Sequence, residues 1–191
     1  MSALDLGTRE GLPDALRVLL DEYPRDAWET HPEFGQLTQF WLHKHLTFRK
    51  LLAMLTDEAQ GALDGKLAVE THAARVSRLG GMLYGDLHGH HNIEDAHYFP
   101  ALVRLEPQIE AGFDLLERDH EAMDGLLARF AETANAVIGA GAEPPAARRN
   151  ATGAFLKGLE DFRLSLDRHL VDEEEIIVPV LLKHGERALG G

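Results

Sequence analysis

His90-His91-Asn92-Ile93-Glu94-Asp95-Ala96-His97-Tyr98-Phe99-Pro100 sets a histidine four residues before a glutamate, a second acid beside it, and a proline ten residues on. The same skeleton returns as His169-Leu170-Val171-Asp172-Glu173-Glu174-Glu175-Ile176-Ile177-Val178-Pro179. Histidine and carboxylate at i and i+4 share one face of a helix. Two such faces brought together offer the nitrogen and oxygen donors that transition metals take.

The surrounding chain is long enough, at 191 residues, for one domain with a sizeable core. Its formal charge of −13 argues against nucleic acid and anionic membrane as partners, since both are met with Lys and Arg. The absence of cysteine excludes disulfides, iron–sulfur clusters and Cys-ligated zinc. Residues 1–20 show no basic segment leading into an apolar run, and no stretch approaches about 18 apolar residues. Neither signal peptide nor membrane span is expected, and the cytoplasm is the default location.

Working outward, apolar periodicity predicts four long helices and no strand. Residues 1–10 read as a loose tail, followed by a short helix from Pro13 to Tyr23 that ends before Pro24. Trp28 is expected to pack onto the bundle. Thr30 and Glu33 read as a capping box for a helix running to about Gln60, with Leu37, Phe40, Trp41, Phe48, Leu51, Leu52 and Leu55 as its bulky stripe. Asp64-Gly65 is the turn. The second helix covers about 66–103, and Pro100 should kink or reorganise its end. Gly81, Gly85 and Gly89 lie on one line of it, which suggests a close neighbour or a local break and leaves a homodimer contact open. After Leu105-Glu106-Pro107 a third helix runs to about Ile138. The Gly/Pro-rich linker 139–145 precedes a fourth from about Ala147 to Pro179, with Val180-Leu181-Leu182 as one more turn.

The expected architecture is all-α: an up-down-up-down four-helix bundle over 33–185, with an N-terminal extension at 1–32 bearing the short helix and a C-terminal tail at 186–191. The two halves repeat. His45 precedes Leu51-Leu52 as His120 precedes Leu126-Leu127, and the elements at His90 and His169 follow 45 and 49 residues later. In antiparallel hairpins with 1.5 Å rise per residue, each histidine pair falls at matching height. His45, His90, Glu94, His120, His169 and Glu173 can therefore converge on one layer. Four histidines and two carboxylates are too many for one tetrahedral zinc and suit two metals with an open position.

The order and spacing of these residues resemble the hemerythrin-like (HHE cation-binding) family over about residues 33–182. The most specific element is His90, Glu94, Phe99 and Pro100, and His169, Glu173 and Pro179 are slightly less so. The resemblance implies a four-helix bundle around two iron ions with an oxo or hydroxo bridge. His45, His90, His120 and His169 would be terminal ligands, and Glu94 and Glu173 would span the irons. It also implies O2, or a related ligand such as peroxide or NO, as the small-molecule partner, in sensing, storage or stress handling with an unassigned redox or signalling partner. A di-iron peroxidase and a structural zinc bundle are the alternatives.

Oxygen-carrying relatives place a second histidine one turn away on the third helix. Here the flanking positions are Leu116 and Asp124, so one iron has a ligand fewer or another group fills the place. Carriers also set the fourth-helix acid five residues after the histidine, which would select Glu174, whereas the internal repeat selects Glu173. His91, turned about 100° from His90, reads as a surface or supporting residue. His97 reads as capping or packing beyond the site, and Asp124 as outside it. His43 points elsewhere, and His31, His72, His88 and His184 read as ordinary polar residues. Tyr98, Trp41 and Phe48 read as core. Apart from its one ligand, Asp172-Glu173-Glu174-Glu175 reads as a solvated face.

Overall fold

Prolines and glycines set the boundaries of the helices in a computed structural model that describes residues 4–190. Every regular element among them is helical, giving an all-α helix bundle. The long helices are α2 (Gln36–Leu63), α3 (Val69–Ile93), α5 (Glu110–Gly139) and α6 (Pro145–His184), with α1 (Val18–Glu22) and α4 (Phe99–Leu105) as short ones. Gly65 ends α2 at φ 72°, with the Lys66 N–H bonded back to Gly61 O at 2.9 Å. Gly185 ends α6 at φ 75°, where an added Cβ would meet Glu33 Oε2 at 2.7 Å. Both are left-handed caps that glycine adopts without steric cost. Pro145 opens α6, where its missing N–H would have no helical partner anyway.

Several expectations change in detail. The start of α2 is Gln36, and Thr30 instead bonds back to Ala27 O within a 3₁₀ turn, Arg25–Thr30. Glu186 caps α2 from far along the chain, accepting the Thr38 N–H at 2.8 Å. Pro100 does reorganise its helix: Glu94–Tyr98 form one π-helical turn between α3 and α4. Pro100 has no N–H to bond Ala96 O and its ring would crowd that carbonyl, so the wider turn accommodates it. Its counterpart Pro179 sits inside an unbroken α6. The glycine line neither breaks α3 nor meets a close neighbour, for a Cβ at Gly81, Gly85 or Gly89 would find nothing within 4 Å. Phe40 is 57% exposed, so the α2 stripe is narrower than its sequence suggests.

The chain divides into two units. One comprises the chain up to Leu46, His90–Ala122 and the part from Asp167 on. Its apolar walls come from Trp41, Phe99, Leu102, Phe113, Leu116 and Ile177. Trp28 is buried there against Leu20, Val178 and Leu182, as expected. The other comprises Thr47–Gly89 and Met123–Leu166, with Phe130 set against Phe155 and Phe162 at 5.9 Å between centroids. No helix among the described residues is long and apolar enough to cross a membrane.

In the first unit Glu106, just past α4, is buried and meets Lys183 Nζ at 2.6 Å and His184 Nε2 at 2.9 Å. Burial alone would raise its pKa, but Lys183, His184 and Gln108 outweigh it and hold the carboxyl down at about 2. Because the folded value lies below the unfolded one, Glu106 contributes stability above about pH 4.3 that is lost as pH falls towards 2. In thermal melts of the metal-free protein, Glu106→Gln should flatten that part of the pH–Tm curve. At pH 7 it should cost about 1.5–3 kcal/mol, the scale of hydrogen bonds to charged groups.

Candidate metal centre

Ionisable side chains from five helical segments of the first unit meet in one largely buried layer. From α2 comes His45, from α3 His90 and His91, from the π turn Glu94, from α5 His120, and from α6 His169 and Glu173. All are buried except His90, whose side chain is 13% exposed. Their donor atoms form two groups, each with its atoms within 4.8 Å of one another: His45, His90, Glu94 and Glu173, and His91, His120 and His169.

The internal repeat is visible in the distances. His45 Nε2 lies 3.2 Å from His90 Nε2, and His120 Nε2 lies 3.2 Å from His169 Nε2. Donors bonded at roughly 2.0–2.1 Å to one metal, at right angles, would be about 3 Å apart. The two glutamates link the groups. Glu173 turns Oε1 to His45 Nε2 and Oε2 to His169 Nε2, both at 3.3 Å. Glu94 turns Oε1 to His90 Nε2 at 2.9 Å and Oε2 to His120 Nε2 at 3.7 Å. Each carboxylate thus offers one oxygen to each group.

Acids lie behind three of the histidines. Glu174 Oε1 lies 3.0 Å from His45 Nδ1, and Asp95 Oδ1 lies 2.7 Å from His120 Nδ1. Asp119 Oδ2 is 3.5 Å from His169 Nδ1, an ion-pair contact longer than a good hydrogen bond. An ionised carboxylate only accepts, so Nδ1 of His45 and of His120 carries a proton, and each Nε2 faces inward, where a metal would replace any proton it holds. Glu174 therefore sits behind His45, while Glu173 lies within the layer.

Burial and mutual charge govern the metal-free layer. Burial pushes the Glu94 carboxyl well up, helped by the neighbouring charge of Glu173. Burial would raise Glu173 too, but His45, His169 and His90 outweigh it and hold that carboxyl well below its ordinary range. Burial lowers His90 to about 3. It also opposes the charge of His169, yet Asp119 and Glu173 prevail and raise that pKa to about 9. Both Glu94 oxygens, Glu173 Oε2 and both His91 nitrogens lack hydrogen-bond partners among the described residues. Orphaned buried acceptors at this density fit cations in the layer.

His91 is the residue that spacing misplaced. It is 4% exposed, its ring stacks on His120 at 4.0 Å between centroids, and it completes the second group. Third-helix positions give no second histidine: Leu116 is buried and apolar, and Asp124 is exposed, 3.9 Å from His88. His97 is exposed and joins neither group. Trp41 does more than fill core, since its Nε1–H donates to Glu173 Oε1 and its ring meets His90 edge-on at 6.0 Å.

Within the run 172–175, Asp172 and Glu174 are not part of a solvated face. Asp172 is fully buried between Arg9 and Arg168, and Arg25 binds Glu174 Oε2 at 2.7 Å. Nor is the region around Arg9 loose. Leu6 and Arg9 are buried, and the guanidinium joins Asp119 to Asp172, the latter at 2.8 Å. No local pattern announces Arg9, whose partners stand 110 and 163 residues away.

A sequence-family model, the hemerythrin HHE cation-binding domain, matches residues 36–181. The chain belongs to this family. No curated protein and no solved structure matches it significantly. The hemerythrin-family chain carries two buried ligand clusters poised to hold a binuclear metal centre. One has mixed imidazole and carboxylate donors, and the other has three imidazoles.

Removing Arg9 leaves Asp119 and Asp172 buried without that partner. Arg9→Ala should therefore cost about 3–5 kcal/mol in chemical denaturation of the metal-free protein. Arg9→Lys should recover only part, because one ammonium cannot match the guanidinium fork.

Proposed function

We propose that this protein holds two iron ions and binds O2 or a related small ligand, such as peroxide or NO, at one of them. The observation that carries this reading is the disposition of Glu94 and Glu173, each with one oxygen directed to each histidine group. His45 and His90 hold one ion, while His91, His120 and His169 hold the other, and the two carboxylates span them. When bound, a di-iron pair supplies two electrons to a diatomic or peroxide ligand at a shared centre.

Donor counting says where that ligand goes. His91, His120 and His169 would offer three imidazoles to one ion, whereas His45 and His90 would offer two to the other, so the second would be the one to take the ligand. His90 is also the partly exposed member, so entry is on its side. Trp41 holds Glu173 through its indole N–H and shields the layer from bulk water beside His90.

Elemental analysis of protein purified without added metal should give close to two irons per chain, with near-ultraviolet and visible absorption that changes reversibly on reduction and exposure to O2. A zinc-loaded, colourless protein would overturn the reading. Steady consumption of reductant with added peroxide would instead assign peroxide turnover to the same centre. His91→Ala should lower iron towards one per chain, checked by the same analysis. Verified metal removal at neutral pH should lower Tm, because bound metal stabilises only the folded state.

A further inference from the structure

We propose that the second unit contains a separate binding site for a small organic carboxylate with an apolar body, formed by His72, Arg148 and Arg149 at the starts of α3 and α6. The three residues line a cleft of about 310 Å³, walled by Leu67, Val69, Val137, Ala140 and Pro145. His72 is the informative member. It is 5% exposed, and neither ring nitrogen has a hydrogen-bond partner among the described residues. It belongs to neither metal-competent group. A buried imidazole in that condition bears a desolvation cost that an oxygen of a bound molecule would offset.

The charge around the cleft selects an anion. Arg148 Nη1 braces Glu143 O at 2.7 Å and Arg149 Nη1 braces Leu63 O at 2.8 Å. These bonds anchor both guanidiniums at the cleft while using one of the five N–H donors of each. Val69 and Pro145 are the first residues of their helices, so the positive ends of two helices face the same space. Of the nearby carboxylates, Asp64 meets Lys66 at 3.0 Å, and Glu58, whose charge also acts on His72, gives Oε1 to Arg75 at 2.5 Å while its Oε2 is buried without a hydrogen-bond partner. The volume and walls set the size. The space holds on the order of ten water-sized groups, which suits a short or single-ring carboxylic acid.

The test titrates the full-length chain with benzoate, followed by backbone amide NMR and calorimetry. Benzamide serves as the uncharged analogue and acetate as the anion without a body. Benzoate should saturably shift amides within 62–72 and 137–152, while benzamide and acetate bind at least tenfold more weakly. His72→Leu should weaken benzoate at least tenfold and raise Tm, since the unpartnered imidazole is gone. Arg148→Gln should also weaken it at least tenfold, and decides the matter if His72→Leu does not fold. Benzamide binding as tightly as benzoate, shifts confined to the surroundings of His90 and His169, or unchanged benzoate affinity in Arg148→Gln would each overturn the proposal.

Discussion

The layer depends on two carboxylates that no arginine or lysine partners. Arginine is abundant around the centre, and it goes elsewhere: Arg9 and Arg168 to Asp172, Arg9 to Asp119, Arg25 to Glu174. Those three acids support the ligands. Glu94 and Glu173, deepest in the layer, meet imidazoles, an indole N–H and each other. Burial, and then the neighbouring charge of Glu173, push Glu94 up, while the histidines hold Glu173 down. Cations at the same place would offset the cost of burying both acids. The distribution of arginines thus keeps the outer acids neutralised and leaves Glu94 and Glu173 without a guanidinium.

This arrangement makes the rest of the first unit intelligible. Each inward Nε2 needs its outer Nδ1 fixed, each fixing acid must itself be buried, and a buried acid needs a partner. The requirement spreads outward from His169 through Asp119 to Arg9, and from His45 through Glu174 to Arg25. The N-terminal segment is thereby tied to the centre, although it contributes no ligand atom. Glu186 does something similar at the other terminus by capping α2, the helix that carries His45.

What sequence could show follows from what is local. The i, i+4 rule places Glu94 below His90 and Glu173 below His169 whatever surrounds them, and the fixed rise per residue sets the heights of His45 and His120. Rotation of a helix about its axis is not local. A 100° turn separates His91 from His90, but the inward arc of a buried helix is itself at least 100° wide, and here it takes in both histidines. Arg9 lies beyond any such rule, because nothing near it in the chain repeats or alternates. Asp172 and Glu174 look solvated in a run of four acids, since only distant arginines bury them.

The place where the repeat fails is also where the two halves acquire different chemistry. After His90 the chain has His91, which leans towards the group of His120 and His169. After His169, the equivalent position is Leu170, fully buried and unable to return the favour to the group of His45 and His90. Had both been histidine, each group would have three imidazoles, and had both been leucine, each would have two. One histidine makes the groups unequal: three imidazoles on the side walled by Phe99, 5.5 Å from the His120 ring, and two on the side of the partly exposed His90. The asymmetry of the donor set and the asymmetry of exposure therefore coincide, and the first traces to position 91.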